Sequence, residues 1–279
     1  MKEIIFEAVL DGIKLVPFLF VAFLIIELFE HKFSKNQLKL VEKSGRFGPV
    51  IGSLLGMFPQ CGFSVLATNL YITRIISLGT LIAIYLSTSD EMLPILLSEN
   101  VEFSLILKIL AIKFIVGMIF GFIIDLFYRN RSNKKDYHIC EEDNCHCESG
   151  IFKSSLKHTF NIFLFVVIIN LILNICFEYI GNDYLSKLFL KNSIFGTFVT
   201  SLVGLIPNCG SSVIITELFL NNAITFGSML SGLLTGSGVA ILVLFKSNKD
   251  IKENFKILGI VYFIGVLSGI VIDLIVNLL

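Results

Sequence analysis

Long uninterrupted apolar stretches alternate along this chain with short hydrophilic segments. Several stretches reach the about 20 residues that a helix needs to cross a bilayer core. The pattern therefore predicts an all-α membrane protein, a polytopic helical bundle with multiple passes through the membrane. The apolar stretches cover approximately residues 14–33, 48–74, 75–98, 104–128, 158–180, 196–221, 223–246 and 256–278.

The second half of the chain repeats the first. Residues 48–126 pair with residues 196–274 without a gap, and about a third of the pairs are identical. Apolar halves with helix breakers at matching interior positions are typical of transporters built from two inverted-topology repeats. We predict a first transmembrane repeat over 1–128, a linker over 129–157 and a second repeat over 158–279.

Lysine and arginine residues predict the orientation. They concentrate in 31–46 and in the central loop 129–157, so we expect both loops in the cytoplasm. Three apolar stretches lie between these two loops, and an odd number of crossings would place the loops on opposite sides of the membrane. One of the three stretches must therefore enter and leave on the same side. Residues 48–74 have only about eleven residues on either side of a Pro-Gln-Cys-Gly break, too few to cross, so a re-entrant hairpin is favoured there. The alternative is a crossing helix with a proline kink.

The two Pro-x-Cys-Gly breaks are candidate cargo sites. Proline removes a backbone donor and glycine permits unusual backbone conformations, so each break exposes helix ends that carry partial charges. Paired cysteines could also present thiolates to a soft metal, whereas packing kinks and buried cysteine as a packing residue are the alternatives. The predicted site residues are Pro59, Gln60, Cys61, Gly62, Pro207, Asn208, Cys209 and Gly210.

A second break interrupts the next apolar stretch in each half. Its hydroxyls and carboxyls are hard oxygen ligands, suited to a divalent cation or a proton. The alternative is that the helix ends at Leu86 and the acidic residues lie in a wet outer loop. The predicted site residues are Ser87, Thr88, Ser89, Asp90, Glu91, Thr235 and Ser237.

Lys113 is a basic residue well inside the stretch 104–128, where the other half has Val261. An intramembrane lysine usually pairs with a carboxylate, and Asp90 or Glu91 is the natural candidate. The alternative is that Lys113 extends along the helix to the membrane interface. We include it among the predicted site residues.

The central loop concentrates soft and borderline metal ligands within ten positions, with acidic residues between them. This clustering predicts capture of a metal or metalloid, although it lacks the paired Cys-x-x-Cys spacing of a defined zinc fold. A disordered acidic linker is the alternative. The predicted metal ligands are His138, Cys140, Cys145, His146 and Cys147.

These motifs together resemble the heavy-metal exporter family of bacterial membrane proteins, whose members are also called arsenic efflux proteins or manganese transporters. The resemblance rests on both Pro-x-Cys-Gly breaks, on Ser87–Glu91, and on the Cys/His loop running into Gly150-Ile151 and Leu156–Thr159. It implies export of a metal or metalloid from the bacterial cytosol across the inner membrane. It also implies about ten membrane segments, which our stretches reach when hairpin limbs are counted separately.

We therefore predict a secondary transporter that exports a divalent heavy metal or metalloid, such as manganese or arsenic species, by alternating access. Protons are the expected coupling ion and a homodimer is a candidate assembly. No Gly-x4-Gly-Lys-[Ser/Thr] motif is present, so the sequence does not indicate transport driven by nucleotide hydrolysis. We expect no enzymatic activity, since no His and no Ser/Lys pair suited to hydrolysis lies well within a membrane segment, and we expect no tightly bound cofactor. The net charge of +0 argues against a nucleic-acid partner. The alternatives are an anion or small organic-acid permease and a membrane-anchored metal sensor.

Overall fold

The computed structural model describes residues 47–58, 61–89, 92–128 and 194–278, with single positions between 13 and 24 and between 156 and 171. The side chains of Cys61, Ile194, Cys209 and Asn277 lie outside this description. Helix accounts for the regular secondary structure of the described residues, and no strand occurs among them. The predicted all-α membrane fold is confirmed.

The helices of the two halves begin and end at matching positions to within two residues. Shifting the bounds of α2 and α3 by 148 residues, the distance from Gly48 to Gly196, gives the bounds of α7 and α8. The described helices are α1 (Gly48–Gly56), α2 (Cys61–Ile72), α3 (Leu78–Ser87), α4 (Met92–Ser98), α5 (Phe103–Tyr128), α6 (Ile194–Gly204), α7 (Cys209–Leu220), α8 (Phe226–Thr235), α9 (Ala240–Ser247) and α10 (Ile251–Leu278).

Within the described part, four helical segments are long and apolar enough to cross a membrane. Two of them, α5 and α10, are continuous helices that expose most of their surface. The other two are the broken pairs α3–α4 and α8–α9, and they are mostly buried. The interrupted segments therefore form the core of the bundle, because their freed backbone groups need protein or a polar cavity around them.

The stretch 48–74 forms a re-entrant hairpin. Helix α1 runs alongside α3, with Gly48 beside Thr80 and Gly56 beside Ser87. Helix α2 then runs back towards the start of α3. The N–H of Ile76, just before α3, donates to the carbonyl of Leu70 near the end of α2. Both ends of the hairpin thus lie at the same end of α3. The second half repeats this arrangement with α6 and α7 beside α8.

Glycines let α3 and α5 approach closely, as small residues commonly do in membrane bundles. A Cβ placed on Gly79 would lie 2.1 Å from the carbonyl oxygen of Gly121. Asp125 on α5 accepts hydrogen bonds from Ser77 Oγ at 2.7 Å and Gly79 N at 2.9 Å, which caps the start of α3. The identical glycines of the repeat therefore mark helix contacts, and Asp273 caps α8 in the same way.

The two broken segments run in opposite directions. Arg74, just before α3, pairs with Glu253, just after α9, at 3.1 Å. The start of one broken segment therefore lies beside the end of the other. The ammonium of Lys256 near the start of α10 lies 4.1 Å from the ring centroid of Tyr128 at the end of α5. We call this end of the molecule the basic end and the opposite end, with Glu99 and Glu102, the acidic end.

The predicted loop before the last helix is shorter than expected. Helix α10 begins at Ile251 rather than near residue 256, so Lys252 and Lys256 lie on its first turns. The reason is local: Asp250 Oδ1 accepts hydrogen bonds from the backbone N–H groups of Lys252 and Glu253, an N-cap that hydropathy alone does not detect.

Candidate functional site

The ends of four helices meet at the centre of the bundle. A Cβ on Gly56, the last residue of α1, would lie 2.1 Å from Ser87 Oγ at the end of α3. A Cβ on Gly204, the last residue of α6, would lie 2.3 Å from Thr235 Oγ1 at the end of α8. Each hairpin tip therefore touches the break of its own half. All four helices present their C-terminal, partially negative ends here.

Lys113 joins the two halves at this point. Its ammonium donates hydrogen bonds to the carbonyl of Thr88 in the first break and, at 3.0 Å, to that of Leu233 near the end of α8. The residue is only 1% exposed, so it does not extend to the membrane interface. A fixed positive charge thus compensates two converging helix C-termini. The expected carboxylate partners, Asp90 and Glu91, lie outside the described residues.

The predicted hydroxyls of the second break lie at the centre and are buried. Ser87 Oγ donates to Ala83 O at 2.8 Å, Thr88 Oγ1 to Ile84 O at 2.7 Å and Ser89 Oγ to Ser87 O at 3.1 Å. Thr235 Oγ1 donates to Ser201 O at 2.9 Å. Each proton is directed to a carbonyl, so the remaining capacity of these oxygens is to accept a hydrogen bond or bind a cation.

Each of the two breaks begins one residue later than predicted. Ser87 and Thr235 are the last residues of α3 and α8 rather than part of the interruption. In the second half the interruption contains Gly238 at φ 54°, a left-handed conformation that favours glycine. Beside it, Ser237 Oγ is buried without a hydrogen-bond partner, which costs about 1–3 kcal/mol unless another group or cargo satisfies it.

The tips of the hairpins are described in the second half. Pro207 follows α6, and Asn208 caps α7 by accepting a hydrogen bond from Gly210 N at 3.2 Å. Cys61 and Cys209 are the first residues of α2 and α7. Pro59, Gln60 and both cysteine side chains lie outside the described part.

The expectation that the tip glycines supply unusual backbone conformations is wrong for the second half. Gly210 is helical, and an added Cβ would make only ordinary contacts with Asn208, the nearest at 3.8 Å. Gly62 likewise lies in the first turn of α2. Proline and the side-chain cap of Asn208 are sufficient to end one helix and start the next.

Sequence reasoning missed polar residues on the returning hairpin helices. Ser64, Thr68 and Asn69 are buried on α2, and Thr68 Oγ1 lies 2.6 Å from the hydroxyl of Tyr85 on α3. A usable signal was present, because Ser64 and Thr68 recur as Ser212 and Thr216 at helical spacing in an otherwise apolar stretch.

A family profile matches residues 1–180 and 165–278, which together cover almost the whole chain. The family is described as "Putative, 10TM heavy-metal exporter". The chain belongs to this family. No curated protein and no solved structure matches it. The resemblance found in the motifs is thereby confirmed.

The family description gives ten membrane segments. The described part of each half supplies two limbs, one broken segment and one continuous helix. The remaining two predicted stretches, 14–33 and 158–180, lie mostly outside the described residues. Among the described residues, no three His, Cys, Asp or Glu side chains gather into a metal cluster. The predicted metal ligands of the central loop, His138 to Cys147, lie outside the described residues.

Proposed function

We propose that this protein is a secondary transporter that exports a heavy-metal ion or metalloid across the bacterial inner membrane by alternating access. The observation that carries the proposal is the convergence of both halves on Lys113, with buried hydroxyls beside it. A polar centre inside an apolar bundle is costly, and in membrane proteins it usually marks a cargo or ion pathway.

Inverted repeats are supported by the packing between the halves. Helix α2 contacts α9, and the equivalent helices α7 and α4 contact each other, while α3 contacts its own counterpart α8. Reciprocal contacts of this kind are those of a two-fold relation. Because the broken segments run in opposite directions, the two-fold axis lies in the membrane plane, and the candidate site lies near it.

The chemistry of the site fits cargo that prefers oxygen ligands. The hydroxyls of Ser87, Thr88, Ser89 and Thr235 would supply neutral oxygens, and Asp90 and Glu91 would supply charge and exchange protons with the cargo. Manganese is the cargo that this set favours. Cys61 and Cys209 would be the ligands for arsenic species, because thiolates prefer softer partners.

Purified protein in proteoliposomes should transport Mn²⁺, Zn²⁺, Co²⁺ or arsenite, with a rate that depends on an imposed pH gradient. Asp90→Asn and Glu91→Gln keep the size of each side chain and remove its charge. We expect each to reduce proton-coupled transport at least about tenfold, since cargo then has no proton to displace. If the transport rates of both variants and of the unchanged protein depend equally on pH, this assignment is wrong. The cargo site would then be expected at Cys61 and Cys209.

The central loop should act as a capture segment. Replacing Cys140, Cys145 and Cys147 with serine should raise the apparent KM for a soft metal while leaving the maximal rate within about twofold. The measurement is the concentration dependence of uptake in proteoliposomes, with Cys176→Ser as a control outside the loop. Complete loss of transport at saturating metal would show instead that the loop takes part in every transport cycle.

A further inference from the structure

The two halves meet along two equivalent seams. Helix α2 packs against α9 towards the basic end, and α7 packs against α4 towards the acidic end. We call these the basic-end seam and the acidic-end seam. If the two-fold relation were followed strictly, the two seams would be equally buried. A transporter in one state of alternating access departs from this by closing one seam more than the other.

The basic-end seam is the more tightly closed. Asn69 on α2 is 1% exposed, whereas its counterpart Glu217 on α7 is exposed. Ser64 is buried, whereas Ser212 is only half-buried. The same holds for the facing helices, where Asn248 after α9 is buried and its counterpart Asn100 after α4 is exposed.

Asn69 is out of place in a permanently closed seam. Neither its amide nitrogen nor its amide oxygen has a hydrogen-bond partner, although both atoms are buried. It shares a face of α2 with Val65 and Ile72, which belong to the apolar core between the halves. A buried amide that lacks every partner in one state is explained if water or cargo reaches it in another state.

A polar lock closes the basic-end seam next to Asn69. Arg74 NH1 and NH2 donate to the two carboxylate oxygens of Glu253 at 3.1 and 3.2 Å, and Tyr71 Oη donates to Oε1 at 2.5 Å. Asn248 Nδ2 adds a bond to Oε2 at 3.1 Å. Such bidentate, charge-assisted contacts are strong and directional. They join the hairpin of the first half to the last helix of the second.

The acidic-end seam has no equivalent lock. The positions that match Tyr71, Arg74 and Glu253 are Phe219, Asn222 and Leu105. None of these can form an ion pair. The lock is therefore specific to one end of the molecule and is not a general device of the repeat.

We propose that the basic-end seam is the cytoplasmic half of the cargo pathway, held closed by the Tyr71–Arg74–Glu253 lock, with Asn69 as a pathway residue that contacts hydrated cargo when the lock opens. Glu217 is its counterpart on the open side. This inference rests on the proposed transporter function. It names residues that touch cargo outside the central site.

The test compares thiol modification of Asn69→Cys with Glu253 unchanged and with Glu253→Gln. Inside-out membrane vesicles receive a membrane-impermeant thiol reagent, and peptide-resolved mass spectrometry reads position 69, so the native cysteines can stay. We expect modification at 69 to be slow with Glu253 and at least about tenfold faster with Glu253→Gln, because the open state is then more populated. Glu217→Cys should react rapidly from the opposite face with Glu253 unchanged.

Asp125→Asn is the matched control, because it removes a carboxylate at the same end that accepts hydrogen bonds from Ser77 and Gly79 of its own half. It should leave the rate at position 69 unchanged. An unchanged modification rate at position 69 with Glu253→Gln would overturn the proposal. The proposal would also fail if Glu253→Gln accelerated modification of Leu81→Cys, in the core of α3, by the same factor, because that would reveal general unfolding. The labelling experiment requires no cargo. If Glu253→Gln speeds labelling at position 69 but the protein transports no metal, the proposed cargo is rejected and the proposed pathway is retained.

Discussion

Lys113→Met should abolish transport and destabilise the folded protein. The substitution removes the ammonium that donates hydrogen bonds to the buried carbonyls of Thr88 and Leu233. Hydrogen bonds from a charged group contribute about 1.5–3 kcal/mol each to stability. The two converging helix C-termini also lose their compensating charge. We expect a lower unfolding temperature in detergent and uptake at the background level.

Lys108→Met is the matched control for this substitution. It removes the same charge from the same helix at an exposed position, so its effect on stability should stay within about 0.5 kcal/mol. Transport by Lys113→Met at the rate of the unchanged protein would contradict a central role for the lysine. Equal effects of the two substitutions would show that the charge acts only through the membrane potential or the surface.

Gly79→Ala should separate α3 from α5 and strongly destabilise the first half. The added Cβ would lie 2.1 Å from the carbonyl oxygen of Gly121 and 2.5 Å from the carboxyl carbon of Asp125. Backbone cannot yield as a flexible side chain can, so we expect a loss of about 3 kcal/mol or more. The measurement is the thermal stability of the purified protein by size-exclusion chromatography after heating.

Gly259→Ala provides the opposite expectation on α10. Nothing lies within 4 Å of an added Cβ there, and alanine favours helix by about 1 kcal/mol over glycine, so this variant should be neutral or slightly stabilised. Gly227→Ala should behave like Gly79→Ala, because its Cβ would lie 2.3 Å from the carbonyl oxygen of Gly269. If Gly79→Ala and Gly259→Ala unfolded at the same temperature, the close packing of α3 on α5 would be wrong.

The sequence predicted the helical bundle and favoured the hairpin at 48–74 over a crossing helix with a proline kink. Hydrophobic length is a direct consequence of bilayer thickness, and basic residues report sidedness, so both signals act residue by residue. The repeat also identified the glycines that later proved to be helix contacts. The helix start at Ile251 escaped because a side-chain cap, not hydropathy, decides it.

For the candidate site, the sequence predicted the buried hydroxyls but not the contacts that connect the two halves. Ser87, Thr88, Ser89 and Thr235 do lie at the centre, because the breaks at which α3 and α8 end lie there. The partner found for Lys113 in the second half is a backbone carbonyl at Leu233, 120 residues away. Every residue carries such a carbonyl, so no side-chain pattern could indicate it.

By itself, the sequence determined the all-α membrane class, the two matching halves and the positions at which their helices break, because these follow from local hydrophobicity and from proline. Only the tertiary structure decided which ends meet, that Lys113 binds two helix C-termini, and that Asn69 is buried while its counterpart Glu217 is exposed. The two seams are built from equivalent segments, and what separates them is the contact of Arg74 with Glu253 across the halves. Such a contact depends on how distant segments pack, which no local pattern encodes.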